Sequence, residues 1–507
     1  MPRSSPIVIT GNSLTLEQFS HVAFDGQAVN LGAAARVRME RAHQLVEEVA
    51  QRDQPVYGVN TGFGKLSDAR IPRRQIEKLQ LNLVRSHACG VGEPLAEPEV
   101  RGMMLCRANA LAKGYSGVRP DVVILLLELL NRGVNPVIPS QGSVGASGDL
   151  APLAHLAAVL LGEGEAFFRG QRMTGGAALR RNHLKPLHLG PKEGLSLLNG
   201  TQAMLSLGAV SLLSAENLID TADVAAALSL DALKGTPIAF DERIQRLRSF
   251  PGQLRSAANV RKLNAGSEIR LSHLDCSKLQ DAYSLRCVPQ VHGAVRDTLA
   301  FARQTLETEL NAATDNPLVF VNDGEILSGG NFHGQPLALV LDFMCIALTE
   351  LASIAERRIE RLINPEYGDL PPFLTANPGL NSGLMMLQVT SAALTSECKV
   401  LSHPASVDSI PTSGNKEDHV SMGMGAALKL RQVIVNLKNV LAIELLCASQ
   451  GIDFLAPLKP GRGAFKAFQR VRSVSPVVTS DRSLATDILR VGELIDGKTF
   501  SKILRGS

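Results

Sequence analysis

Long stretches rich in alanine and leucine constrain the fold of this 507-residue chain more than any other feature of its sequence. As helices, at 1.5 Å per residue, they would form rods of roughly 30 to 45 Å. Rods that are apolar on more than one side need partners to cover them, which predicts a helical bundle with further burial between subunits. The stretches are 202–233, 292–312, 335–364, 381–402 and 420–450.

The chain therefore divides, by prediction, into an N-terminal region at 1–200 and a mainly α-helical part at 201–507 that holds the bundle and the C-terminal helices. Hydrophobic periodicity and glycine or proline punctuation also predict shorter elements in the first region. These are helices at 33–52, 72–86, 97–113 and 121–132, and a hairpin-and-loop insertion at 164–190.

Charge and composition exclude several classes of partner. The chain has 52 Lys and Arg residues against 48 Asp and Glu, a dispersed net charge of +4, and no Trp, which disfavours nucleic acid. The seven cysteines form no Cys-x-x-Cys pair, so we expect reduced thiols and no metal site. Met1–Pro6 does not resemble a signal peptide, and the apolar run at Leu337–Leu348 contains Asp342 and is too short for a membrane span. These observations predict a soluble, cytoplasmic protein that binds no membrane.

A glycine-rich loop at Gly142–His155 carries the most distinctive local pattern, with three glycines spaced three residues apart. In Ala146-Ser147-Gly148, the unhindered Gly148 nitrogen is able to attack the Ala146 carbonyl carbon and close a five-membered ring. Loss of two waters, one of them carrying the Ser147 hydroxyl, would leave an electrophilic methylidene that no encoded side chain provides. On spacing alone an ordinary turn, or a phosphate-binding loop, stays open as an alternative.

The fourteen residues Gly142–His155 resemble the signature of the aromatic amino acid ammonia-lyases, and the resemblance extends over nearly the whole chain. It is greatest to the histidine-acting members of that family. It implies a methylidene-imidazolone formed autocatalytically from Ala146-Ser147-Gly148, in which Ser147 becomes dehydroalanine, with no external cofactor. It also implies the mainly helical fold of the ammonia-lyases and fumarases.

The resemblance assigns roles to three residues of the N-terminal region. Tyr57, in the glycine-rich YGVNTGFG segment, corresponds to the base that removes the substrate β-proton, for which we expect a lowered pKa. His87, in the Ser-His pair of LNLVRSHACG, would contact a substrate imidazole. Asn199, in LLNGTQ, would donate to the imidazolone and help to hold the substrate.

The remaining positions lie in the second half of the chain. Arg286, in QDAYSLRC, corresponds to the residue that binds the substrate carboxylate, with Tyr283 near the amino group and Gln280 also binding substrate. Phe332, in GGNFHG, would contact the ring or the substrate. For the neighbouring His333 we favour a simple hydrogen bond at a helix start.

Glu417, in SGNKEDHVSMG, gives the main argument for histidine as the substrate. A carboxylate pairs well with imidazole, whereas phenylalanine and tyrosine lyases carry Gln at this position. Lys416 departs from the family pattern, which often has Gln there, and the Ser-His pair also occurs in some tyrosine-acting members. A tyrosine or phenylalanine ammonia-lyase, an aminomutase, or a catalytically silent scaffold therefore stay open as alternatives.

By this resemblance the chain eliminates ammonia from L-histidine to give trans-urocanate, the first step of histidine degradation. The amine would add to the methylidene and become a better leaving group, although attack on the imidazole ring instead stays open. The family also implies a homotetramer whose neighbouring subunits complete each active site.

Overall fold

The computed structural model describes residues 5–52, 54–275 and 279–506, and its secondary structure is mainly α-helical, as predicted. The α-helices are α1 (Leu16–Ala23), α2 (Ala33–Ala50), α3 (Ile76–His87), α4 (Glu97–Ala112), α5 (Pro120–Arg132), α6 (Leu150–Leu160), α7 (Gly175–Arg181), α8 (Glu193–Leu198), α9 (Gln202–Ala232), α10 (Glu242–Arg246), α11 (Pro251–Leu263), α12 (Glu268–Leu271), α13 (Tyr283–Arg286), α14 (Val288–Leu310), α15 (Gln335–Ile363), α16 (Met385–Leu401), α17 (Gly423–Asp453), α18 (Arg462–Arg472), α19 (Ala485–Asp496) and α20 (Thr499–Gly506).

The strands are short and pair locally. They are β1 (Ile7–Ile9), β2 (Val29–Leu31), β3 (Val91–Pro94), β4 (Val134–Pro136), β5 (Pro139–Gln141), β6 (Glu165–Phe168), β7 (Gln171–Thr174), β8 (Leu318–Phe320) and β9 (Glu325–Leu327). β1 and β2 are parallel, while β3–β5, β4–β6–β7 and β8–β9 are antiparallel. The β6–β7 hairpin confirms the predicted insertion, in which the helix α7 was not expected.

Helix boundaries follow the sequence signals closely. α5 ends at Gly133, whose φ of 67° is the left-handed conformation that glycine favours at a helix end. The long helices α9, α14, α15, α16 and α17 confirm the five apolar stretches within a few residues at each end. Pro336 lies in the first turn of α15 and Pro365 follows its end, both positions that proline tolerates.

The chain divides into two compact units that are each discontinuous in sequence. Unit 1 contains 1–210, 303–342 and 404–428, and unit 2 contains 211–302, 343–403 and 429–507. The division at residue 200 made from the sequence stays a prediction.

The core of unit 1 is built on α4, which is buried along almost its whole length and packs against α1 and α5. α3, α6 and α8, also in unit 1, pack against one another. These three helices matter for function because α3 ends at His87, α6 follows the glycine-rich loop, and α8 leads directly into Asn199.

The core of unit 2 contains buried ion pairs. Arg358 donates to both carboxylate oxygens of Glu444, at 2.5 and 2.9 Å, and both side chains are fully buried. Burial alone would raise the pKa of the Asp223 carboxyl, but Arg296 and His292 outweigh burial and hold that pKa well below its usual value.

Within the described residues, three of the long helices are apolar enough to span a membrane by length and composition, which corrects the prediction drawn from Leu337–Leu348. α15 contains an 18-residue window with a mean hydropathy of 2.0, because its apolar character continues well beyond that run. In α9, α15 and α17, 78%, 61% and 72% of the most apolar window is buried within the protein. Asp342 is tolerated inside α15 because its carboxylate accepts a hydrogen bond from the Ser406 backbone at 2.8 Å.

The described cysteines carry no disulfide. Cys106, Cys345, Cys398 and Cys447 are buried, Cys287 is half-buried and Cys89 is exposed, whereas Cys276 lies outside the described residues. Within the ranges that the structure describes, no three His, Cys, Asp or Glu side chains are grouped to hold a metal ion.

Candidate active site

The glycine-rich loop connects β5 to α6 and depends on glycine at three positions. Gly142, Gly145 and Gly148 have φ angles of 133°, 67° and 73°, a backbone conformation that side chains with a Cβ rarely adopt. The loop is held from the outside as well, because Met422 donates its backbone N–H to the Val144 carbonyl at 2.9 Å.

Gly148 packs directly against the backbone of Gly200. The two residues form an isolated parallel bridge, and the next residue, Asp149, donates its N–H to the Gly200 carbonyl at 2.7 Å. A Cβ at Gly148 would overlap the carbonyl group of Gly200. The close contact therefore requires glycine, and it holds one end of the Ala146–Gly148 tripeptide against the Gly200 backbone.

Asp149 fastens the loop to the start of α9. Its fully buried carboxylate accepts hydrogen bonds from the Ser143 hydroxyl at 2.9 Å and from the backbone N–H groups of Ala203 and Met204 at 3.0 and 2.9 Å. Burial raises the pKa of this carboxyl to about 6, although the three donors oppose the rise. Asp149 thus satisfies orphan donors of the α9 N-terminus while fixing both ends of the loop.

A cavity of about 710 Å³ in unit 1 brings together six of the residues selected from the sequence. Their side chains come from segments that are up to 360 residues apart in the chain, between Tyr57 and Glu417. The six are Tyr57, His87, Ser147, Asn199, Phe332 and Glu417. Ala146 and Gly148 flank Ser147 and are buried behind it.

Glu417 occupies a central position in this cavity. One carboxylate oxygen accepts from the Ser147 hydroxyl at 3.0 Å, and the other accepts from the Thr412 hydroxyl at 2.6 Å. Backbone hydrogen bonds between Thr412 and Glu417 close the same turn. The carboxylate is therefore fixed on both sides.

His87 is held in one tautomer by its own helix. Its Nδ1 lies 2.9 Å from the Leu83 carbonyl oxygen, an acceptor only, so the proton is on Nδ1 and the Nε2 lone pair is free to accept. Burial lowers the pKa of His87, while the Leu83 carbonyl and the charge of Glu417 oppose that effect. A neutral imidazole that accepts through Nε2 suits a substrate carrying an N–H donor.

Tyr57 does not show the lowered pKa that the sequence led us to expect. Burial raises its pKa, and the carboxylates of Glu417 and Asp315 raise it further, with the backbone of Gly64 as the opposing hydrogen bond. The expectation required a nearby positive charge, whereas the charged groups that act on this phenol within the described chain are negative. The ring itself lies edge-on to Phe63, with a centroid distance of 6.4 Å.

Asn199 offers an acceptor rather than the expected donor. Its Nδ2 donates to the Asn316 carbonyl at 2.9 Å, and its Oδ1 is buried without a hydrogen-bond partner among the described residues. Buried polar atoms are rarely left without a hydrogen bond. This oxygen is therefore positioned to accept a hydrogen bond from a bound group.

Two buried cations hold the segment that carries Asn199. Arg107 is fully buried, and donates to the carbonyls of Ser196 and Asn199 and to the Gln202 side chain. Burial lowers its pKa to about 10, against the charge of Asp315. Lys192, also fully buried, pairs with Asp315 at 2.8 Å.

Gln280, Tyr283 and Arg286 belong to unit 2 and do not line this cavity. Tyr283 is 69% exposed, Gln280 is exposed, and Arg286 lies with its Cζ 4.6 Å from the centre of the Tyr283 ring. The Arg286 Nε is buried without a hydrogen-bond partner in the described part of the chain.

Residues near the cavity in the sequence have structural partners. The Nδ1 of His333 accepts from the Gln335 backbone at 3.3 Å, which is the helix-start hydrogen bond that we favoured. Asn311 bonds the backbone of Leu14, and the Asn316 side chain accepts from the Gly329 backbone. Lys416 is exposed and lines the cavity.

The comparisons with known proteins agree with the site. A family model described as aromatic amino acid lyase matches residues 14–473. The chain belongs to the aromatic amino acid lyase family. This membership confirms the resemblance found in the sequence.

Individual members of this lyase family match over almost their full length. Histidine ammonia-lyase of Koribacter versatilis is 57% identical over 500 residues, which are 96% of this chain and 97% of that protein. The crystal structure of histidine ammonia-lyase from Trypanosoma cruzi is 43% identical, with a TM-score of 0.92 over 99% of this chain and 95% of that one. Tyrosine aminomutase from Streptomyces globisporus reaches a TM-score of 0.94 at 37% identity, covering 99% and 98%. The fold is thus common to enzymes with different substrates, and the sequence is more similar to the histidine enzymes.

Several residues of the lyase site could not have been selected from the sequence. Thr412, Arg107 and the Leu83 carbonyl act through contacts with residues distant in the chain or through backbone geometry. Asp149 lies inside the recognised loop, but its partners Ala203 and Met204 are more than fifty residues away.

We predict that Gly148→Ala destabilises the protein far more than the matched variant Gly170→Ala. Gly170 has nearly the same φ, 75°, but a Cβ there meets no atom within 4 Å, so it should cost only about 1 kcal/mol of unfolding free energy. The Cβ at position 148 must also displace the Gly200 backbone, which adds roughly 1–3 kcal/mol. Denaturant unfolding of both variants checks this. Equal losses would show that the Gly148–Gly200 contact is not tight.

Proposed function

We propose that the chain eliminates ammonia from L-histidine without oxidation or reduction, giving trans-urocanate. The observation that carries the proposal is that Glu417 and His87 line the same cavity as Ser147, whose hydroxyl donates to Glu417. The carboxylate and the neutral imidazole are both acceptors, and either one matches the single N–H of a neutral substrate imidazole. The identity to histidine ammonia-lyases over the full chain supports the same substrate.

Enzymes of the aromatic amino acid lyase family use a self-generated methylidene-imidazolone. We propose that Ala146, Ser147 and Gly148 form it here, and the residues present fit the group. The Gly148 nitrogen carries no neighbouring Cβ, Gly148 packs against the Gly200 backbone, and Ser147 lines the cavity. The buried Asn199 Oδ1 has no hydrogen-bond partner among the described residues. The group would supply an electrophile in the cavity, where the substrate amine or ring is to be activated.

The chain's own side chains perform the remaining tasks. Glu417 and His87 orient the imidazole, and the side chain of Phe332 packs against the substrate. Tyr57 takes the β-proton as general base. The Asn199 Oδ1 accepts a hydrogen bond from the bound substrate or ring.

The substrate carboxylate is assigned to Arg286, with Tyr283 and Gln280 beside it. A guanidinium binds a carboxylate through two parallel hydrogen bonds. The Nε of Arg286 has no hydrogen-bond partner within the described ranges and is available for one of them. We propose that these three residues reach the site of a neighbouring subunit in a homotetramer, as the family resemblance implies.

The protein is proposed to be cytoplasmic, with no membrane or nucleic acid partner.

Absorbance assays with L-histidine, L-tyrosine and L-phenylalanine in parallel test the function, because each product is a conjugated acrylate that absorbs where its substrate does not. We expect activity with L-histidine alone. Glu417→Gln should lower kcat/KM for L-histidine by about 100-fold or more, since the half-buried carboxylate that accepts from the imidazole is lost. Activity of the wild type only with tyrosine or phenylalanine would contradict the substrate, and β-amino acid products would indicate an aminomutase.

The raised pKa of Tyr57 predicts an alkaline rise in activity. A general base must be deprotonated, and a phenol with a pKa above its usual value of about 10 is ionised only in a small fraction at neutral pH. We therefore expect kcat/KM for L-histidine to increase with pH towards that raised pKa. Tyr57→Phe should lower the rate by about 10²–10⁴-fold and abolish the increase. A profile that stays flat from neutral to alkaline pH in the wild type would remove Tyr57 as the base.

A further inference from the structure

His333 uses both of its ring nitrogens, and only one of them serves the helix that follows. The Nδ1 accepts from the Gln335 backbone at 3.3 Å, while the Nε2 lies 3.2 Å from the carbonyl oxygen of His419, 86 positions away. A backbone N–H only donates and a carbonyl oxygen only accepts. A neutral ring with its proton on Nε2 satisfies both contacts, so His333 donates to the His419 carbonyl. The two imidazole rings are also parallel, with centroids 5.9 Å apart.

The His419 carbonyl lies in the segment that places Glu417. On one side, Glu417 is tied to Thr412 by a side-chain hydrogen bond of 2.6 Å and by two backbone hydrogen bonds. On the other side, the Ser421 hydroxyl donates at 3.1 Å to a carbonyl of the glycine-rich loop. Between Glu417 and Ser421, the Nε2 of His333 attaches the segment to the start of α15.

The start of α15 belongs to another wall of the same cavity. Phe332 directly precedes His333 and lines the cavity together with Glu417. The side chain of Gln335 donates to the Ser406 carbonyl at 3.2 Å, so a second hydrogen bond connects the start of α15 to the 404–428 part of unit 1. His333 therefore connects the wall that carries Phe332 to the wall that carries Glu417.

The proposed substrate needs these two walls at a fixed separation. In the proposed function, Phe332 packs against the substrate while the Glu417 carboxylate accepts from the imidazole N–H. Such a hydrogen bond requires a donor–acceptor distance of about 2.7–3.2 Å. A shift of one wall against the other would lengthen the bond or separate the ring from Phe332.

We propose that His333 is a positioning residue, whose Nε2–H fixes the separation between Glu417 and Phe332 that the substrate imidazole occupies. The inference rests on the proposed function, because it takes L-histidine as the substrate. His333 is not one of the residues that line the cavity, so it acts through Glu417 and not on the substrate. The helix-start hydrogen bond and the link to His419 are two separable functions of one ring.

Asparagine and glutamine at position 333 each retain one of these two functions. The Asn side-chain oxygen accepts from the backbone two residues further on, as the Nδ1 of His333 does, but the side chain is too short to reach His419. The Gln amide nitrogen lies about as far along its side chain as Nε2 and is a donor. His333→Asn therefore keeps the helix start and loses the link, and His333→Gln does the reverse.

Kinetics with L-histidine and denaturant unfolding are measured on both full-length variants. His333→Asn should lower kcat/KM by about 10-fold or more, because a displaced Glu417 no longer orients the imidazole, and should unfold close to the wild-type midpoint. His333→Gln should recover kcat/KM to within about threefold of the wild type, since its amide donates to the same carbonyl, but unfold at lower denaturant. A purely structural role would make activity follow stability in both variants.

A double variant tests whether the effect passes through Glu417. In a Glu417→Ala background, assayed at higher enzyme concentration, His333→Asn should lower kcat/KM by less than about twofold, because residues that act as one unit are not additive. An unrelated structural defect would lower kcat/KM by the same factor in both backgrounds.

The outcomes separate this inference from the proposed function. A wild type that does not convert L-histidine overturns both. With an active wild type, the positioning role is overturned if His333→Asn keeps the wild-type kcat/KM, if a folded His333→Gln is no more active than His333→Asn, or if the losses in the double variant are additive. If circular dichroism shows that His333→Asn does not fold, His333→Ser replaces it, because Ser also accepts from the backbone two residues on. A wild-type kcat/KM in that variant would contradict the inference.

Discussion

The contact between Gly148 and Gly200 is the constraint on which the rest of the site depends. Because neither residue has a Cβ, two backbone segments approach each other as closely as hydrogen-bonded strands, with the Asp149 N–H on the Gly200 carbonyl. The approach orients the Ala146–Gly148 tripeptide with Ser147 towards the cavity. Any side chain at position 148 would separate the loop from its support and move the reactive atoms.

The support itself is rigid because buried charges hold it. Arg107 donates hydrogen bonds to three acceptors around the turn that contains Gly200, and Lys192 forms an ion pair with Asp315. Removing one member of such a cluster leaves an uncompensated buried charge. Loss of any one of these groups is therefore expected to destabilise the turn that contains Gly200. The same cluster lies near the Tyr57 phenol, where Asp315 contributes to the raised pKa. The support of the loop and the electrostatics of the general base are thus linked.

The sequence predicted the elements well because their signals are local. Apolar periodicity, Gly133 and Pro365 mark helices within a few residues of their observed ends, and the long family match selects the six side chains of the cavity. The sequence was less informative where a property depends on distant neighbours. The raised pKa of Tyr57 and the acceptor character of Asn199 arise from contacts made only in the folded chain. The apolar window in α15 was underestimated because the buried Asp342, whose carboxylate accepts from the Ser406 backbone, does not interrupt the helix.

The central claim is that Ser147 becomes an electrophile at the end of a pocket that recognises imidazole. Borohydride treatment followed by peptide mass analysis tests it directly, because hydride adds to a conjugated methylidene and to no encoded side chain of the loop. We expect one reduction within Ala146–Gly148, prevented by trans-urocanate and much less by trans-cinnamate. A loop peptide that borohydride leaves unchanged, or a reduction that both compounds prevent equally, would contradict the account.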